Sequence, residues 1–384
     1  SIASGGNYNT VVGDEAGTAL TTGDYNTGVG KSAGAAITTG IQNTLIGGLA
    51  GDAITTASNN VAIGAHALTT DTLGSGSIAI GRQALQTQNF TSATTSYNVA
   101  VGDQAGLSVT TGIENTLIGG LAGDALTTGE YNIALGSRAL SADTKGSQNV
   151  AIGAYSLTTQ NFTSATNSHN VAVGTNTGRY ITTGVQNTLI GGLAGDAITT
   201  SSNNTAVGYA SLTTNTTGSE NVALGGSAML SNTTGGTNVA VGQSALSSNT
   251  TASNNVAVGY NSLGANTTGH GNSAVGRLSL DANTTGLANT AMGNSALGAN
   301  TTASNNTAVG SSALTANTTG AANVAVGKGA LDANTTAGDN TAVGTNSLTD
   351  NTTGGLNTAV GSEALANNTT ASENTAVGSL SLFT

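Results

Sequence analysis

A glycine that closes a short N-x-A-V-G block recurs from Gly13 to Gly378, 22 times along the 384-residue chain. The step is 17 residues throughout, except at Gly81–Gly102 and Gly153–Gly174, where it is 21. A period this regular makes the chain a stack of equivalent supersecondary units, none of which buries enough apolar surface to stand alone. With the glycine as position zero, −4 is Asn in 21 units, Ser77 being the exception. Position −1 is Val, Ile, Leu or Met in all 22, −2 is usually Ala, and +3 is always Ala, Ser or Thr.

Only 7% of residues are charged and 3% aromatic, with no Pro, Cys or Trp. Such a composition first suggests a disordered tract, but disorder has no use for a large aliphatic at every −1. Helix is excluded because Gly, Asn and Thr recur in each unit at a cost to helix stability. The block T-A-V alternates faces as a strand does. We therefore expect an all-β parallel β-solenoid of about 22 coils. Each coil would hold two short strands and two turns, the second strand falling near +3 to +6. Coils about 4.8 Å apart would make a rod about 105 Å long.

The variable half of the unit divides in two. Position +4 is Leu or Met in fifteen units and Gly in seven, and those seven carry an aliphatic at +7, such as Ile37 and Ile54. The apolar group moves three residues along without disappearing, as a shared interior requires. The Gly units come mainly in pairs, giving a second period of 72 residues in IQNTLIGGLAGDAITT (41–56), IENTLIGGLAGDALTT (113–128) and VQNTLIGGLAGDAITT (185–200). That superperiod separates a decorated section, 1–204, from a uniform shaft, 205–384. In the shaft we expect Val309, Leu314, Val326, Leu331, Val343 and Leu348 to form the core. Asn306, Asn323, Asn340, Asn357 and Asn374 should stack as a buried amide ladder at a corner.

The block N-T-A-V-G-x-x-A-L-x-x-N-T-T-G resembles the head repeats of YadA-like trimeric autotransporter adhesins. It is also similar to repeats of bacterial surface and phage tail-fibre proteins. The resemblance covers nearly the whole chain and implies a left-handed β-roll assembled as a homotrimer on a bacterial surface or virion, and so extracellular. It implies adhesion to a cell, glycan or surface. The period is longer than in the adhesin heads, and no neck, stalk, barrel or chaperone segment is read within this stretch.

Chemistry-bearing constellations are few. His66, His169 and His270 stand in distant units, which argues against a metal or other cofactor. Asp52, Asp124 and Asp196 recur in G-D-A four coils apart, about 19 Å on ladder spacing, too far for paired-carboxylate catalysis. An enzyme is not expected. Seven Lys and Arg against a net charge of −11 provide no nucleic-acid footprint, and no apolar run is long enough to span a bilayer.

Two features point to surfaces. The N-T-T run at +7 to +9 repeats in ten consecutive units, so Thr318, Thr319, Thr335, Thr336, Thr352 and Thr353 would form parallel files. They read either as a turn or as an ice-binding array. The two long units carry QNFTSATTSYN (88–98) and QNFTSATNSHN (160–170). Phe90, Tyr97, Phe162 and His169 lie there in candidate recognition loops for a glycan or protein receptor, although the phenylalanines could equally fold back as caps. Neither end reads as a polar cap, which suggests a fragment or subunits stacking end to end into a filament.

Overall fold

The computed structural model describes residues 5–383. The chain is an all-β parallel solenoid of about 22 coils, one per repeat, with no helix among the described residues. It divides into two compact units, residues 1–193 and 194–384. Each unit holds eleven three-residue strands, from Thr10–Val12 to Thr188–Ile190 in the first and from Thr205–Val207 to Thr375–Val377 in the second. Neighbouring strands within a unit pair in parallel and in register, as in Thr307↔Val324, Ala308↔Ala325 and Val309↔Val326. Identical positions of successive repeats therefore form straight files.

The strand's alternation places the small residue inside. Ala308, Ala325 and Ala342 are fully buried, whereas Val309 and Val326 are half-exposed and Val343 is 36% exposed. The expectation that these valines form the core is thus corrected: the strictly aliphatic −1 file faces outward. The reason is the space across the coil. Leu314, Leu331 and Leu348 at +4 are fully buried and point at the strand, leaving room for only a methyl at −2.

Among the described residues no second strand follows at +3 to +6 in the plain coils. Positions +2 and +4 both take left-handed backbone, as at Ser312 (φ 58°) and Leu314 (φ 51°), which breaks an extended run. Turns fill this arc, and they still pair from coil to coil: Leu314 N–H donates to Ala330 O (3.0 Å) and Thr318 N–H to Thr335 O (2.8 Å). The anchor glycine is required twice over. Gly310 has φ 133°, and a Cβ there would lie 2.5 Å from the carbonyl oxygen of Gly327 in the next coil.

Paired Gly units follow from one side chain. Where Gly replaces Leu at +4, the −2 residue of one coil is Leu instead of Ala, and Leu45 is fully buried. A Cβ on Gly34 would lie 2.7 Å from Leu45 Cδ1, and one on Gly51 would lie 2.8 Å from Leu45 Cδ2. Its two methyls thus occupy the +4 space of two consecutive coils. Leu117 stands in the same way between Gly106 and Gly123, at 2.8 Å from each built Cβ. Ile37 and Ile54 at +7 fill what remains.

Candidate binding surfaces

The interior of the second unit carries two amide files. At −4, Asn306, Asn323, Asn340 and Asn357 are fully buried, and Asn374 is half-exposed. The link between rungs runs chiefly through the backbone: Asn323 N–H donates to Asn306 Oδ1 (2.9 Å) and Asn340 N–H to Asn323 Oδ1 (3.0 Å). The second file lies at +7. Asn317, Asn334 and Asn351 are fully buried, and here side chain meets side chain. Asn334 Nδ2 donates to Asn317 Oδ1 (2.9 Å), and Asn351 Nδ2 to Asn334 Oδ1 (3.1 Å). The files share an acceptor, since Ala337 O receives Asn323 Nδ2 (2.8 Å) and Asn334 Nδ2 (3.0 Å). Each buried amide is satisfied in this way.

The N-T-T run is therefore one interior residue followed by two surface ones. Thr318 and Thr335 are half-buried, and their hydroxyls donate to the carbonyls of Thr335 (3.1 Å) and Thr352 (3.2 Å). Thr352 Oγ1 donates in turn to Thr369 O (2.9 Å). Thr319, Thr336 and Thr353 form the exposed file. Each coil thus offers one threonine hydroxyl to solvent here instead of two.

The long units are built around a buried carboxylate. Asp71 at +7 is fully buried, between coils whose +7 residues are the aliphatic Ile54 and the Gln88 of the long unit. Its surroundings are all donors. Gln88 Nε2 donates to Asp71 Oδ2 (2.6 Å), while the N–H groups of Gly74 (2.9 Å) and Phe90 (3.4 Å) donate to Oδ1. An acceptor-only side chain is what such a pocket takes. Gln88 Oε1 accepts from Asn98 Nδ2 (2.8 Å) and Gln88 Nε2 reaches Ser77 Oγ (2.8 Å). Asp143 repeats the arrangement with Gln160 Nε2 (2.7 Å), Gly146 N–H (3.0 Å) and Phe162 N–H (3.2 Å). Burial pushes both carboxyls above the usual carboxylate range, against the hydrogen bonds from glutamine and backbone.

These anchors fix the insertions. Gly74–Ser75 pairs with Thr94–Thr95, and Gly146–Ser147 with Thr166–Asn167. Phe90 and Phe162 fold back, 5% and 7% exposed, so neither is available to a receptor; Phe90 covers Gly74 of the preceding coil. Tyr97 is 63% exposed and His169 is exposed as well, both at −5.

Asp52 and Asp124 each hold one buried carboxylate oxygen without a hydrogen-bond partner, and burial raises both above the ordinary range. Asp52 lies near His66 and Asp124 near Arg138. Among the described residues no group of three or more His, Asp or Glu could hold a metal ion, and no helix is long and apolar enough to cross a membrane.

The outward face of the strands is the largest regular surface. Each coil presents a −3 residue, commonly Thr or Val, and the −1 aliphatic, with Ile46, Ile133, Leu135, Val275, Met292 and Val360 among the exposed. Eleven strands about 4.8 Å apart and three residues wide give each unit about 500 Å² of this face. No model of a known protein family matches the chain, and no curated protein matches it.

Proposed function

We propose that the chain is a structural attachment fibre whose copies associate side by side through the outward strand face, without enzymatic activity. The observation that carries this is the −1 file. It is aliphatic in all 22 repeats yet faces outward, where monomer stability places no such demand. A second copy of this chain is the partner that fits. It presents the same Thr and aliphatic files at the same step, so ridges and grooves match coil after coil, which a partner without the repeat cannot offer. The resemblance to adhesin-head and tail-fibre repeats argues for three copies and for an extracellular place on a bacterial surface or virion, with a cell-surface glycan or protein as receptor.

Sedimentation equilibrium of the full chain tests the association. The expected species is a trimer. Val309→Lys, Val326→Lys and Val343→Lys together should give monomers with an unchanged circular-dichroism spectrum, because these side chains are not in the core. A wild-type monomer at micromolar concentration defeats the proposal. Attachment itself is tested by retention of labelled protein on bacterial and animal cells.

A further inference from the structure

One file of residues in the first unit has no role in the stack. Position −5 lies on the edge between the N-T-T side and the strand, directly before the buried Asn. Its backbone is left-handed in every coil from Tyr97 to Gln186, with φ 49° at Tyr97, 56° at Glu114, 58° at Tyr131, 62° at Gln148, 49° at His169 and 58° at Gln186. Gly and Asn suit that conformation, and large aromatics do not. In residues 194–384 the position is Asn203, Asn254, Gly271 and Asn305 in four coils and takes varied residues such as Ala288, Ala322 and Leu356 in others, and no aromatic occupies it there. In the first unit the file instead reads Tyr97, Glu114, Tyr131, Gln148, His169, Gln186. Aromatic and hydrogen-bonding side chains alternate over six consecutive coils.

The alternation is real in space. Glu114 N–H donates to Ser96 O (2.7 Å), Tyr131 N–H to Ile113 O (3.1 Å) and Gln148 N–H to Glu130 O (3.0 Å), so these residues sit one above another in register. Where tyrosines occupy consecutive coils, their rings satisfy each other: Tyr8 and Tyr25 stack with centroids 4.9 Å apart and planes 10° from parallel. Tyr97 and Tyr131 are held two coils apart, about 9.6 Å at the ladder step, too far to stack, and they are 63% and 46% exposed. Neither ring is stacked on another aromatic, although Tyr97 lies against Gly76 of the preceding coil, and a carboxylate stands between them.

We infer that this file is a binding edge for a neutral, unbranched β-linked polysaccharide. In such a chain each sugar advances by close to one coil. Every second pyranose ring then meets an aromatic platform, and the hydroxyls between meet Glu114, Gln148 and Gln186. Aromatic side chains offer an apolar face with a polar tip, which suits an amphipathic sugar ring. A polyanion is disfavoured, since no Lys or Arg stands on the file and the chain carries a net charge of −11. This names the receptor class for the attachment reading and rests on it.

The test is binding of soluble cello- and chito-oligosaccharides to the full chain, read by tyrosine fluorescence, with hyaluronan as the acidic arm. Affinity should rise from di- to hexasaccharide, and hyaluronan should not bind. Tyr97→Asn with Tyr131→Asn should weaken the hexasaccharide at least tenfold without changing the melting temperature, since Asn suits the backbone. Tyr209→Asn with Tyr260→Asn, exposed tyrosines off the file, should change nothing. No binding of any neutral oligosaccharide, preference for hyaluronan, or equal loss in both double variants overturns the inference. Protein that adheres to cells without oligosaccharide competition refutes the glycan edge and leaves attachment standing; protein that adheres to no surface refutes attachment.

Discussion

Leu45 offers a test of how the interior is shared between coils. Its two methyls lie where side chains at Gly34 and Gly51 would begin, 2.7 and 2.8 Å from the built Cβ positions. Leu45→Ala empties that space, and no neighbouring side chain at +4 can relax into it. The cost belongs in the upper part of the Leu→Ala range, about 4 kcal/mol. Gly51→Ala in the wild-type background forces a methyl against Leu45 Cδ2 and against Ile54 Cδ1 at 2.9 Å. Overpacking costs about 2 kcal/mol, and left-handed backbone at a residue with a Cβ about 1 kcal/mol more. Independent effects would sum to about 7 kcal/mol. In the double variant, however, the methyl added at Gly51 enters the hole left by Leu45. The clash with Leu45 disappears, Ile54 Cδ1 has room to shift into the same hole, and the cavity shrinks, so the loss should be about 4 kcal/mol, a coupling of about 3 kcal/mol. Because a solenoid can open locally, native-state amide exchange of Leu49–Ile54 should be followed beside guanidinium unfolding. Additive losses would show that Leu45 does not fill both coils, and that the pairing of Gly units has another cause.

Three further outcomes follow from the same geometry. Gly327→Ala should prevent coil stacking locally, with a loss of about 3 kcal/mol or more in chemical unfolding, because its Cβ would collide with Gly344 O; an unchanged midpoint would contradict the close backbone approach. Asn334→Asp should destabilise by about 3 kcal/mol at neutral pH, since it turns a donor toward Asn317 Oδ1 and Ala337 O into a buried acceptor, whereas Thr336→Ser on the exposed file should stay within about 0.5 kcal/mol. Burial raises the carboxyls of Asp52, Asp71, Asp124, Asp143 and Asp281 above 3.8, so the native state binds protons more readily than the unfolded chain. Their stabilising contribution is full below the ordinary carboxylate value and is lost as pH rises through the raised values. Melting temperature measured from pH 7 downward should therefore rise toward pH 4, and a steady fall would refute the sign.

The period made the solenoid legible, and the trade between Leu at +4 and an aliphatic at +7 made the shared interior legible. The direction of the strand was not. T-A-V alternates equally well either way, and a large aliphatic kept at every −1 argues for the core unless the space across the coil is known. Leu314 takes that space, so Ala308 goes in and Val309 out. The second amide file was hidden by its turn-like sequence, N-T-T-G. Its cue was positional: Asn at +7 occupies the same file as Ile37, Ile54 and Val109, which are all buried. Phe90 folds back because Asp71 grips its backbone N–H, a contact between residues 19 apart that no local pattern announces.

The amide files also bear on how the stack finds its alignment while folding. In residues 205–384 each rung is interchangeable with the next, so a strand docked one repeat out of place meets the same Asn, Ala and Gly and gains nearly the same energy. Such slips are neutral errors, corrected only when the chain runs out of partners. The first unit carries marks that forbid them. An Asp71–Gln88 rung shifted by one repeat sets a carboxylate against Val109 instead of Gln88, and a Leu45 shifted toward the C-terminus meets Leu68 instead of glycine. These irregular coils act as the notches on a ruler whose other divisions are blank, and they give the decorated half a single alignment from which it can be counted.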